Sequence, residues 1–382
     1  VLRLQLILTF PAQKRFGQAK TLIFLALGPF FIFSVVTMNS ATVRTPANCT
    51  IPGLLLGCAL FYAGCASSPE TKTSAAGPVT GKAWNVPLSD DTSIELEWIP
   101  AGTFTMGSPD SDVLARPDEK PQTQVALTKG FWLGKTTVTI GQWKSLTGLG
   151  VRTQLIHMIQ DDTLYDFDGK QETVRDYMHF SRDADPGRYL AHENDNLPMY
   201  FVSWNDAMEF CRELNERERA AGQLPVGYEY NLPTEAQWEY ACRAGTTEST
   251  YAGPMVIEDG KAPVLENIAW YSGNSTNGYT GKGFKVAGGT GGPHAVGQKQ
   301  PNAWGLRDMT GNLWQWCRDW YGSYPGGNMT DPTGPATGAD RVNRGGSFGS
   351  GARDERSANR AKNPPAEGSA YRGFRIALCP VR

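Results

Sequence analysis

The side chains best suited to acid–base or metal chemistry are thinly spread along this chain. The four histidines, His157, His179, His192 and His294, include no pair at i,i+4 spacing, so no helix face offers two imidazoles to a zinc ion. His192-Glu193 is followed by no second histidine, and imidazoles so dispersed usually serve as surface or structural groups. Asp166-Phe-Asp168-Gly169 has the texture of a calcium loop, but Leu164 stands at the first ligand position and Arg175 at the last, which predicts a solvated loop. Of seven cysteines, Cys49, Cys58 and Cys65 fall in an apolar N-terminal part, leaving Cys211, Cys242, Cys317 and Cys379 to the remainder. A buried thiol there packs as a small hydrophobe. In Arg344-Gly-Gly-Ser347 the paired glycines permit a tight backbone, and the arginine can hold carboxylates or carbonyls.

The elements that must position these groups are short. The 382 residues include 43 glycines and 25 prolines, well above the roughly 12% these two residues usually contribute. The glycines follow no three-residue period, which excludes collagen, so they belong to turns of a fold with sparse regular structure. Eleven tryptophans, all from Trp84 onward, point to a packed body and exclude disorder for most of the chain. A formal charge of −2 provides no basic field for nucleic acid. Alternating β-type stretches predict short strands at Ser93–Trp98, Thr103–Met106, Gln124–Leu127 and Phe131–Leu133. Three hydroxyls followed three positions later by a group that can return a hydrogen bond predict helix starts: Thr139 with Gln142, Ser203 with Asp206, Thr234 with Gln237. Gly148, Gly222 and Gly245 supply the stops. In the middle helix Trp204, Ala207, Met208, Cys211 and Leu214 line one face, and Glu209, Arg212, Glu213, Glu216 and Arg217 the other. Residues 151–196, polar and mixed in charge, read as an insertion, and almost no helical period follows Gly245.

The N-terminus reads as an address. Residues 21–37 form one apolar run, and residues 51–64 a shorter one ending in Tyr62-Ala63-Gly64-Cys65 and followed by Ala-Ser-Ser-Pro. A short apolar region closed by small residues and a cysteine resembles a bacterial lipoprotein signal, with Cys65 lipidated. A start at Met38 would leave Arg44 and the amino group as the positive region; the alternative is one or two membrane anchors. Either reading places the rest outside the cytoplasm. The expected organisation is a signal or upstream segment at 1–65, a small polar tether at 66–82, and a folded domain at 83–382.

Several ordered segments resemble the formylglycine-generating enzyme, or sulfatase-modifying factor, family. They are Trp98-Ile-Pro-Ala-Gly-Thr-Phe-Thr-Met-Gly107, Gly130-Phe-Trp-Leu-Gly134 with Val138-Thr139, Pro198 to Asp206, and Leu232-Pro-Thr-Glu-Ala-Gln-Trp-Glu-Tyr-Ala-Cys-Arg243. Asn302-Ala-Trp-Gly-Leu-Arg-Asp-Met-Thr-Gly-Asn-Leu-Trp-Gln-Trp316, Arg341-Val-Asn-Arg-Gly-Gly-Ser347 and Gly373-Phe-Arg375 continue the series, so the resemblance covers 95–378. It implies an α+β fold of the C-type-lectin-like kind with little regular secondary structure and bound calcium. It also implies copper-dependent oxidation of a sulfatase cysteine to formylglycine by two cysteines that follow the Arg-Gly-Gly-Ser motif. No cysteine occurs between Arg344 and Arg360; Ser350 stands where the first would fall, and Glu355, or a neighbour if a gap intervenes, stands near the second. Neither a hydroxyl nor a carboxylate replaces a thiolate toward copper(I), so copper is not expected. A second branch, the sulfoxide synthases, joins such a domain to an iron site on a closely spaced histidine triad, which is absent here.

For calcium, the resemblance implies side-chain oxygens of Asp308 and Gln315 with the carbonyls of Gly311 and Leu313, Gln315 replacing the usual glutamate. A second calcium site carries over to Asn267 and the Ile268 carbonyl, without a carboxylate between Asn267 and Gln300. The resemblance also implies a disulfide between Cys211 and a cysteine near the C-terminus, for which Cys379 is the candidate; the partner of Cys242 would lie where Asp354-Glu355-Arg356 stands, so Cys242 and Cys317 either pair together or remain thiols. Relative to these motifs Trp314, Ser347, Ser350 and Arg360 mark a groove beside Glu355. The expectation is an exported, lipid-anchored, calcium-stabilised binding or scaffolding domain of a bacterial envelope, engaging an exported protein, peptide or glycan. The alternatives are a structural lipoprotein, or an oxidoreductase that acts on an exported thiol through other ligands.

Overall fold

In the computed structural model residues 78–191 and 194–381 are described. The apolar leader, Cys65, most of the tether and His192-Glu193 lie outside them. The chain enters through strands β1 (Trp84–Pro87), β2 (Ser93–Ile99), β3 (Gly102–Met106), β4 (Thr123–Leu127) and β5 (Phe131–Gly134), then helices α1 (Ile140–Thr147) and α2 (Val151–Gln160). A hairpin of β6 (Tyr165–Phe167) and β7 (Lys170–Glu172) and a short α3 (Val174–Tyr177) precede α4 (Trp204–Ala220), β8 (Tyr228–Asn231) and α5 (Glu235–Arg243). Beyond α5 come only strands and 3₁₀ turns: β9 (Phe284–Val286), β10 (Gly289–Gly291), β11 (Trp314–Trp320), β12 (Gly327–Thr330), β13 (Arg341–Arg344), β14 (Arg360–Asn363), β15 (Arg372–Gly373) and β16 (Ala377–Pro380).

An antiparallel five-stranded sheet, β1-β2-β5-β16-β8, divides the core. Because side chains alternate along a strand, Trp132, Ile376 and Leu378 join α1 and α4 on one face. Phe131, Leu133, Ala377 and Cys379 join α5 on the other. A smaller sheet, β12-β4-β3, and the four-stranded β14-β13-β11-β15 complete the body.

The three hydroxyls expected to cap helices do so. Thr139, Ser203 and Thr234 each accept the amide of the third helical residue, and the side chain there returns a bond to the cap amide. Gly148 closes α1 in the left-handed region. Ser203→Ala is therefore expected to cost about 1 kcal/mol, read as a lower urea midpoint, and Ser203→Thr to restore most of it.

Within residues 151–196, α2 buries Val151, Leu155, Met158 and Ile159 in the same core as α1 and α4; its polar average hides an i,i+4 apolar stripe. The expected solvated loop at Asp166 is a β-hairpin turning on Asp168-Gly169, both with positive φ, and Asp166 accepts the Gly169 amide at 2.7 Å. Asp-Gly between paired strands is the usual two-residue hairpin signal.

Candidate functional site

The site grows from the end of β13. Gly345 and Gly346 have φ of +100° and +74°, conformations that a side chain would strain. A Cβ on Gly346 would lie 2.3 Å from the Glu355 carboxyl, so the second glycine is what lets that acid close on the backbone. The chain then makes a tight turn over Ser347–Ser350. The Ser350 amide donates to the Ser347 carbonyl at 3.0 Å, the Ser347 amide donates to Ser350 Oγ at 3.2 Å, and the two hydroxyls lie 2.9 Å apart. Ser347 is buried and Ser350 half-buried. Tyr371 packs against Gly349, where a Cβ would come within 2.6 Å of its ring. Phe348 and Phe284 continue that aromatic wall, at 4.9 and 5.8 Å from the Tyr371 ring. Trp314, half-buried at the start of β11, donates its amide to the Tyr371 carbonyl at 2.9 Å.

Glu355 lies at the end of a 3₁₀ turn, Ala352–Glu355, with its side chain fully buried and neither carboxyl oxygen in a well-formed hydrogen bond. Burial, reinforced by the charge of Asp354, pushes its pKa well above the usual carboxylate range, against the opposing pull of the Ser347 and Gly311 amides. The fold thus favours the protonated form of this acid, which lies against Gly346 at the start of the serine turn.

The structure brings Ser347, Ser350 and Glu355 together and sets Trp314 beside them, but Arg360 belongs elsewhere. Its guanidinium clasps Glu235 of α5 at 2.6 and 2.7 Å and stacks on Tyr324 and Tyr321. Burial pushes the Glu235 carboxyl up, and the charges of Arg360 and Arg344 outweigh that and hold it low. One turn on, Glu239 accepts the Gly107 amide and Arg243 Nε, both at 2.9 Å, and pairs with the fully buried Arg344. Every residue of α5 is buried, its two glutamates included. Composition hid this ionic core; its trace in the sequence is Glu235 and Glu239 at i,i+4, so that both face the arginines of β13 and β14.

The turn expected to hold calcium is folded against protein groups. Asp308, at φ +53°, accepts the Gly297 amide at 2.7 Å through its carboxylate, and burial raises its pKa. Gln315 Oε1 accepts from Trp238 Nε1 at 2.8 Å and from Arg375 Nε at 2.6 Å, while Gln315 Nε2 donates to the Asp308 carbonyl at 2.7 Å. Asn267 is exposed, and the Ile268 carbonyl accepts the Tyr251 hydroxyl at 3.3 Å. Among the described residues no three His, Cys, Asp or Glu side chains are gathered as a metal cluster. These donor sets do not fit calcium at either position.

The four described cysteines are all buried. Cys379 donates to Gln237 Oε1 at 3.5 Å, and burial, reinforced by Cys379, pushes the Cys211 thiol up. Cys242 lies 3.6 Å from the Ser357 hydroxyl, and burial raises its pKa and, more strongly, that of Cys317. His294 stacks at 3.7 Å on Trp270, and His157 and His179 are exposed and apart.

Comparison with known proteins agrees with the motifs. The model of the sulfatase-modifying factor enzyme 1-like domain matches residues 88–379. The mouse formylglycine-generating enzyme is 30% identical over 301 residues, covering 73% of each chain. The Thermomonospora curvata enzyme is 27% identical over 308 residues, covering 74% of this chain and 93% of its own. Among solved structures, PvdO from Pseudomonas aeruginosa aligns with a TM-score of 0.54 at 24% identity, over 79% of this chain and 99% of its own, a likeness of fold. With these matches, the ordered motifs and the α+β architecture, the chain belongs to the sulfatase-modifying factor family.

Proposed function

We propose that this protein is a non-oxidase member of its family, a binding or scaffolding domain displayed on the outer side of a bacterial membrane through a lipid at Cys65. The observation that carries the reading is the pair of groups at the family's thiol positions. Ser350 offers a hydroxyl and Glu355 a fully buried carboxyl, and copper(I) asks for soft sulfur. Family membership alone does not decide between the readings, because activity resides in the site and not in the fold.

What remains at the surface suits recognition. Ser350 offers a hydroxyl that both donates and accepts, and Tyr371, Phe284 and Trp314 are only half-buried around it. A hydroxyl beside aromatic faces matches a peptide or glycan of an exported protein. The short apolar leader closed by Ala63-Gly64-Cys65 supports the anchored location. Titration with copper(I) against a competing chelator is the test: no copper transfers to the protein on this reading, and tight stoichiometric transfer contradicts it.

A further inference from the structure

The turn from Asp308 to Gln315 disagrees with the calcium site that its sequence suggests, and the disagreement has one chemical origin. A side-chain carboxamide has one acceptor end and one donor end. Here the acceptor end is committed, because Gln315 Oε1 receives Trp238 Nε1–H at 2.8 Å and Arg375 Nε–H at 2.6 Å. Turning the amide over would set its N–H groups against both of those donors. The other end is therefore the NH₂ group, which donates to the Asp308 carbonyl at 2.7 Å. A calcium shell is built from oxygen lone pairs, so this end presents protons where the ion needs an acceptor.

The neighbouring charge acts in the same direction. Arg375 is fully buried, and besides Gln315 it donates to the carbonyls of Gly134 at 2.6 Å, Arg307 at 2.9 Å and Asp308 at 3.0 Å. Its guanidinium ties β5, the 307–308 turn and β11 together and fixes the Gln315 carboxamide in this orientation. Burial lowers its pKa to about 10, with Asp308 opposing that fall, so it remains a cation at neutral pH.

We infer that the Asp308–Gln315 turn is a calcium site closed by a single amide: Gln315 Nε2, oriented by Trp238 and Arg375, holds the Asp308 carbonyl, and this turn stands without calcium. The family's carboxylate at this point would keep one oxygen on Trp238 and Arg375 and turn the other toward the turn.

The test is thermal unfolding of the full chain in 5 mM calcium chloride and in chelator, for the wild type, Gln315→Glu and Asp308→Asn. The wild type is expected to melt at the same temperature in both. Gln315→Glu is expected to gain about 2–4 °C with calcium, the shift produced when free ion exceeds the dissociation constant about tenfold. A wild-type gain of that size that disappears in Asp308→Asn overturns the inference; one that persists there places the ion elsewhere and leaves it standing. A folded Gln315→Glu with no calcium response overturns the part assigned to the amide. If Gln315→Glu does not fold, the wild-type and Asp308→Asn arms still decide, since the inference requires Asp308→Asn to shift melting equally in calcium and chelator.

Discussion

Glu239→Gln is expected to cost about 3–5 kcal/mol, a large part of the roughly 5–15 kcal/mol that holds a domain folded. Glu239 is fully buried between two guanidinium groups, Arg243 at 2.8 Å and Arg344, and it also receives the Gly107 amide. Removing its charge leaves Arg243 without its counter-ion and Arg344 with only the more distant Glu235 at 3.5 Å, and the amide nitrogen opposes one of the donors. The loss spreads widely because Arg344 closes β13 where the serine turn begins, and Gly107 closes β3 at the far side of the core. Urea denaturation followed by tryptophan fluorescence measures it. Glu216→Gln is the control: this residue pairs with Arg212 on the exposed face of α4, and such pairs contribute about 0–1 kcal/mol. Equal losses in the two variants would remove the ionic core from the account.

Glu355→Gln is expected to have the opposite sign at neutral pH. In the unfolded chain Glu355 releases its proton in the ordinary carboxylate range, whereas burial and the charge of Asp354 make the folded protein keep it to higher pH. Between those two values the native state binds the extra proton, so this group's contribution to stability falls as pH rises through the window. Glutamine keeps the shape and does not titrate. The variant should differ least from the wild type at the acid end and gain on it steadily as pH rises toward 8, because only the wild type loses the proton-linked stability. Denaturation midpoints of both proteins from pH 4 to pH 8 give the difference directly. A difference that stays flat across that range means the carboxyl is not held protonated by the fold.

The parts of this fold that local chemistry specifies were legible in the residues. A capping box spans four positions, so Thr139, Ser203 and Thr234 announce their helices without help from distant residues. The strands at 93–99, 102–106, 123–127 and 131–134 follow equally local alternation. What depended on remote partners stayed hidden. Gln315 is oriented by Trp238 and Arg375, 77 and 60 residues away, so the turn's sequence alone suggested a ligand where the structure has a donor. Arg360 follows the serine turn closely in sequence, yet Glu235, 125 residues earlier, draws it into the core. At the site itself the sequence motifs located the serine pair and Glu355, and the aromatic wall of Tyr371, Phe284 and Phe348 emerged only with the fold.

The central claim is that this chain keeps the family's architecture without its thiol chemistry. The most direct measurement incubates the purified protein with copper, oxygen and a peptide containing Cys-x-Pro-x-Arg, and follows the peptide by mass spectrometry beside an authentic formylglycine-generating enzyme. The account predicts an unchanged cysteine peptide with this protein while the control converts it to the aldehyde. Catalytic appearance of the aldehyde, with more than one turnover per protein molecule, would contradict it.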